Sequence, residues 1–173
     1  MTVSEKRVVI TGMGVVAPNG HGKEEFSSSL RNGKSGIRFI EKLQELKFSC
    51  QVGGVPQGIN EKLDQYFQED ELIAMNEAMI YAGIASLDAW KDAGLTVTDS
   101  DSDKVNEDTG AIIGTGIGGI STLANEVVPK VAQGKVKRLG STVVERIMCS
   151  AVSAKVGGLL ALGNQVTTNS SAC

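Results

Sequence analysis

Glycine constrains this chain more than any other residue type: 21 of its 173 residues are glycine, against 3 prolines and an aromatic content of 4%. A chain with few rings to fill space packs by bringing backbones close together, and glycine permits that approach. Its glycines gather where apolar runs end. Arg7 to Gly12 is a short continuous apolar run closing on glycine, as expected of a central strand covered on both faces, and Thr109 to Gly114 is a second strand of buried type.

Helices are expected between these runs. Lys23 to Asn32 reads as an amphipathic helix with Phe26 and Leu30 inward, and Gly33 stands at its C-cap. Asp70 to Asp92 is the clearest helix, with Leu72, Met75, Met79, Ala82, Ser86 and Trp90 at helical spacing. Ala78, Gly83 and Ala85 keep a second face narrow, which places it in the interior; Gly94 ends it. Residues 34 to 60 read as irregular, with short strands around Ile37 to Ile40 and Phe48 to Val52, and Asp99 to Asp108 as an acidic loop. The turn Gly114 to Gly119 leads into a helix running to about Gln133. Thr142-Val-Val-Glu145 has the capping-box pattern of a helix start, and Ser150 to Leu162 continues as an Ala/Ser/Gly-rich helix. Gln165 to Ser171 is the last strand, running straight into Ala172-Cys173. Strands alternating with helices imply an α/β layered fold with a mostly parallel sheet and βαβ units.

Composition narrows the function. Apolar content of 41% with 21% charged residues belongs to a soluble globular domain, and a net charge of −3 argues against nucleic-acid binding. Lys6-Arg7 before the apolar run imitates a secretory leader, but Thr11, Gly12 and Gly14 interrupt the run and Pro18-Asn-Gly20 reads as a turn. No stretch is long enough to span a membrane. The cysteines, Cys50, Cys149 and Cys173, are odd in number and lack metal-type spacing, so neither a disulfide framework nor a metal site is expected and a cytoplasmic location fits.

Two patterns invite a dinucleotide reading: Gly12-x-Gly14-x-x-Ala17 and Gly114-x-Gly116-x-x-Gly119. Such a site needs a helix opening inside the motif and an acidic residue at the end of the next strand. The first pattern runs into a turn, and no strand ending in Asp or Glu follows the second at the required distance. Tight strand-to-helix turns explain both better. Cys173 is the sharper candidate, since a strand tip fixes a nucleophile's backbone and a helix starting there would favour the thiolate. By its chemistry alone, a structural cysteine fits Cys173 as well as a catalytic one. Cys50 and Cys149 lack this setting and read as small buried hydrophobes.

Four segments, in order along the chain, carry a family resemblance. Arg7-Val-Val-Ile-Thr-Gly-Met-Gly-Val-Val-Ala-Pro-Asn-Gly20 resembles the opening strand and loop of the beta-ketoacyl-acyl-carrier-protein synthases. Asn32-Gly-Lys-Ser-Gly-Ile37 is similar to their G-x-S-G-I loop, and Thr109 to Gly119 to the glycine-rich strand and turn bordering their acyl pocket. Asn169-Ser-Ser-Ala-Cys173 resembles the segment ending on their acyl-accepting cysteine. Each motif alone is weak; four in order are strong.

The resemblance implies a thiolase-like layered α/β fold, of which residues 1–173 would form the N-terminal half, ending at the nucleophile. It implies a condensing acyltransferase of fatty acid or polyketide biosynthesis. Cys173 would take an acyl group from acyl carrier protein and also donate to the oxyanion hole, and Ile117 would line the acyl channel. The 142–162 region would lie near the dimer interface and acyl pocket. The acyl groups arrive on carrier-protein phosphopantetheine, so no resident cofactor is expected. The partners implied are acyl carrier protein, a C-terminal half, and a second subunit in a homodimer or heterodimer. A non-elongating subunit of chain-length-factor type is the alternative; a nucleotide-binding module is the more distant one.

The chain departs from the family in three respects. The family's histidine pair lies downstream of the cysteine, and the single histidine here, His21, reads as solvated in the first loop. The helix that would lower the Cys173 pKa is absent from this sequence. Gln68-Glu-Asp-Glu71 is acidic where many relatives carry basic residues for carrier docking; Lys130, Lys135, Lys137 and Arg138 form another basic cluster.

Overall fold

The computed structural model describes residues 6–97 and 104–171. Val16–Ala17 (β1) and Gly20–His21 (β2) form a tight antiparallel hairpin around Pro18-Asn19. Helix α1, Gly22–Arg31, follows, and Gly33 terminates it with φ +62°, a left-handed conformation that costs glycine little. A second antiparallel pair, β3 (Ile37–Phe39) with β4 (Val52–Gly54), encloses the short helix α2, Glu41–Glu45. The 3-10 helix Asn60–Gln65 then leads to α3, Glu69–Ile73, and α4, Glu77–Asp92.

The expected single helix over 70–92 is thus two. The break comes at Asn76, whose Oδ1 accepts from Met79 N at 2.9 Å and restarts the helix as its N-cap. The capping box falls at Gln68 and Glu71, not at Thr142 and Glu145: Gln68 N donates to Glu71 Oε2 at 3.0 Å. Thr142 still precedes α7, Val143–Ile147, but caps it with no side-chain bond.

The second half is a crossover unit. Strand β5, Ala111–Gly114, leads through the glycine turn into α5, Ile120–Thr122, the π-helical turn Leu123–Val127 and α6, Val128–Ala132. The 3-10 turn Val136–Arg138, α7 and α8 (Ala151–Leu159) follow, and the chain returns as β6, Val166–Asn169. β6 runs parallel to β5 in the register Ala111↔Val166 to Gly114↔Asn169. This is the βαβ arrangement expected of an α/β fold.

The core lies between α4 and α8, where Met75, Met79 and Ile84 meet Ala151 and Val152, closed from one side by Ile59 and Phe67. Gly83 keeps the contact close, since a Cβ there would stand 2.9 Å from Phe67 Cζ. Each fully buried aliphatic side chain in such a core contributes about 1.5–3 kcal/mol.

Expectations of burial fail in several places. β5, whose sequence reads as a covered strand, leaves Ile112 84% exposed. Among the described residues, the apolar run from Val8 to Ile10 has no ladder partner, and Val8 and Ile10 are 94% and 85% exposed. An apolar run becomes a strand only beside another one. Leu30 is exposed on α1, while Ser29 turns inward and donates to Asn19 O at 2.5 Å. Among the described residues, no helix is long and apolar enough to cross a membrane.

Candidate active site

Parallel pairing brings the two segments expected to carry chemistry to one sheet edge. Past the end of the ladder, Thr115 N donates to Asn169 O at 2.9 Å, and the hydroxyls of Thr115 and Ser170 are hydrogen-bonded at 2.8 Å. The glycine loop and the segment leading to Cys173 therefore leave the sheet side by side. Asn169 Oδ1 accepts from the Ser171 amide at 3.0 Å and from its hydroxyl at 2.5 Å, which fixes the backbone as it leaves β6. Cys173 itself lies outside the described residues.

Beneath β6, α8 supplies small side chains. Gly157 lets Val166 approach, and the buried hydroxyl of Ser153 bonds to Thr168 and donates to Ser150 O at 3.1 Å. Ile117 stands at the tip of the glycine loop, 72% exposed. It borders a cavity of about 350 Å³ whose walls include Val16, Tyr81, Ala82, Ile113 and Val152. These are mostly apolar walls, suited to a hydrocarbon chain.

The glycines of the loop are committed to packing. A Cβ on Gly118 would overlap Ile147 O, and one on Gly119 would overlap Arg146 O. Those backbone surfaces face the 146–149 segment and leave no cradle for a pyrophosphate. The strand that follows ends in Asn169, without an acid. Gly12 and Gly14 are used likewise, against Ala89 O and Ala85 O of α4. Tight packing accounts for both patterns.

His21 is not solvated as the sequence implied. Its side chain is only 8% exposed, and it sits in a polar cluster drawn from three elements. Lys62 Nζ lies 3.2 Å from Nδ1, and Asp88 Oδ2 lies 3.2 Å from Nε2. An ammonium can only donate, so Nδ1 is the side of the ring that can accept from Lys62, and Nε2 faces Asp88. Tyr66 Oη donates to Asp88 Oδ1 at 3.0 Å. Burial, then the bond to Asp88, push the tyrosine up to about 12, so it remains a donor. The cluster ties the β1–β2 hairpin to α4. Its partners come from residues 41 to 67 positions away, and no local pattern announces them.

Other expected roles shift as well. Cys50 and Cys149 are exposed, not buried. Cys149 sits in the α7–α8 link, where the backbone does the packing: its carbonyl accepts from Thr115 Oγ1 at 3.3 Å. Of the acidic segment, Glu71 is engaged by the Gln68 amide and by Lys155 Nζ at 3.1 Å; these outweigh its burial and hold it below the usual carboxylate range. Of the basic cluster, Lys130 pairs with Glu126 at 2.9 Å, while Lys135, Lys137 and Arg138 are exposed. Among the described residues, no group of three or more His, Cys, Asp or Glu could hold a metal ion.

Known proteins share this arrangement. A beta-ketoacyl synthase from Burkholderia phymatum superposes with a TM-score of 0.76, covering 98% of this chain and 40% of that one at 22% identity. The ishigamide ketosynthase/chain length factor gives 0.73, with 98% and 41% covered at 26% identity. The fold is therefore the thiolase-like fold of ketosynthases. The profile of the family described as "Beta-ketoacyl synthase, N-terminal domain" matches residues 5–173. The chain belongs to this family. Its curated relatives include the 3-oxoacyl-[acyl-carrier-protein] synthase 1 of Haemophilus influenzae, 34% identical over 153 residues, 86% of this chain and 35% of that protein. The chain thus spans about a third of the length of that relative.

Proposed function

We propose that this chain is the nucleophile-bearing N-terminal half of a condensing acyltransferase of fatty acid or polyketide biosynthesis. The Cys173 thiolate attacks the thioester carbonyl of an acyl group on carrier-protein phosphopantetheine; a new C–S bond forms, and the pantetheine thiol leaves with a proton. Malonyl carrier protein then loses carbon dioxide. Its carbanion attacks the Cys173 thioester, forming the C–C bond of a beta-ketoacyl product and releasing the thiolate. The Cys173 amide is one oxyanion donor, and a histidine pair downstream of this sequence stabilises the enolate.

The single observation that carries this reading is the in-register β5–β6 pair. It sets the segment leading to Cys173 beside the loop of Ile117, whose cavity suits an acyl tail.

The substrates bring phosphopantetheine with them, so the reaction calls for no resident cofactor or metal. The partners in this reading are acyl carrier protein, a C-terminal half, and a second subunit in a homodimer or heterodimer, in the cytoplasm. Exposed Lys135, Lys137 and Arg138 suit an acidic carrier better than α3, whose Glu71 is engaged by Lys155. A second reading, the non-elongating subunit, draws on the likeness to a ketosynthase/chain length factor.

The test uses the full-length protein with acyl and malonyl carrier proteins, and the beta-ketoacyl product measured by mass spectrometry. Cys173→Ala should abolish product while Cys50→Ala leaves it unchanged. Equal effects of the two substitutions would refute the assignment, and an intact protein that forms no product would favour the non-elongating reading.

A further inference from the structure

The loop carrying Ile117 is gripped by one short segment. Gly118 and Gly119 lie directly on the backbone of residues 146–149, and Thr115 Oγ1 reaches Cys149 O at 3.3 Å from the loop's other end. Arg146 adds a side-chain tie. Its Nη2 donates to Glu126 Oε2 at 2.6 Å, and Glu126 belongs to the π-helical turn that continues from the loop through α5. The carbonyl of the same arginine accepts from Asn76 Nδ2 at 2.5 Å, and Asn76 caps α4. One residue therefore joins the loop, the turn behind it and the start of the helix that walls the cavity.

Three details make the tie specific. π-helical turns are rare and concentrate at functional sites. Glu126 also accepts from Lys130 at 2.9 Å; Lys130 and Arg146 together hold it below the usual carboxylate range, so it stays ionised. Arg146 Nε is buried without a hydrogen-bond partner among the described residues, and Glu126 is the one carboxylate found on the guanidinium there.

We propose that Arg146 and Glu126 are positioning residues that fix Ile117 against the acyl cavity and thereby select acyl-chain length. The inference rests on the condensing-enzyme reading, because only an acyl group carried to this cavity would register the shift. A side chain displaced by a fraction of an ångström changes which chain end fits, and one methylene in an apolar pocket changes selectivity about tenfold or more.

The test follows loading of Cys173 in the full-length protein by intact mass, using short and long straight-chain acyl-pantetheine thioesters. Iodoacetamide alkylation of Cys173 reports the thiol's own reactivity. Glu126→Gln and Arg146→Met should each move the long-to-short loading ratio about tenfold towards unity, with alkylation rates unchanged. Arg146→Lys, which retains the charge, should restore most of the selectivity. Glu126→Gln is nearly isosteric, so it remains informative if Arg146→Met fails to fold. A wild-type ratio in folded Glu126→Gln, or alkylation slowed in step with loading, overturns the inference. A wild-type protein that loads no acyl group at all overturns the condensing reading, and this inference with it.

Discussion

Gly12 to Ala17 and Gly114 to Gly119 look alike in sequence, each an apolar run closing on Gly-x-Gly, yet the fold uses them differently. In the first, Gly12 and Gly14 press against carbonyls of α4, and the chain turns back as the β1–β2 hairpin. In the second, Gly118 and Gly119 press against carbonyls of α7, and the loop just before them holds an exposed isoleucine. One segment chiefly anchors a layer and lends Val16 to the cavity wall; the other builds the rim around that cavity. A glycine pattern reports that two backbones meet, and the partner decides what the meeting is for.

That contrast can be broken most sharply with Gly14→Ala and Gly119→Ala. Each new Cβ would overlap a carbonyl oxygen, of Ala85 in one case and of Arg146 in the other. Overpacking against backbone should cost roughly 3 kcal/mol at either site, measured by denaturant midpoints. Activity separates them: per folded molecule, Gly119→Ala should lose far more acyl loading than Gly14→Ala, whose contact Ala85 only borders the cavity. Equal activity in both would make the second loop a structural anchor like the first.

A smaller effect sharpens the anchoring half. Tyr66→Phe removes the hydroxyl that bonds Asp88 in the His21 cluster. It should lower stability by about 1–2 kcal/mol in thermal or chemical melts, with acyl loading unaltered. Lost loading at unchanged stability would mean that the cluster belongs to the chemistry.

Much of the fold was legible because it depends on short-range rules. Gly33 and Gly94 end their helices with φ of +62° and +73°, and the β3, β4, β5 and β6 segments fall at or next to the runs that suggested them. What escaped depends on distant partners. Asn76 is an N-cap residue type, but the unbroken apolar spacing from Leu72 to Trp90 masks the break, and its other bond goes to Arg146, 70 residues on. His21 gave no local sign of burial, since Lys62, Tyr66 and Asp88 reach it across the fold. Cys149 belongs to a segment whose backbone, not its side chain, does the packing. The run from Val8 to Ile10 suggested a covered strand, yet among the described residues nothing pairs with it. Of the candidate site, Ile117 borders a cavity, and its acyl-channel role stays an expectation of the sequence. Cys173 lies outside the described residues and stays an expectation of the sequence.

The most direct measurement is the mass of the full-length protein after incubation with an acyl-loaded carrier protein, followed by peptide mapping of the adduct. A single acyl group added on Cys173, removable by hydroxylamine as a thioester must be, is the outcome expected here. An unmodified Cys173, with the acyl group absent or mapped to Cys50 or Cys149, would contradict the account.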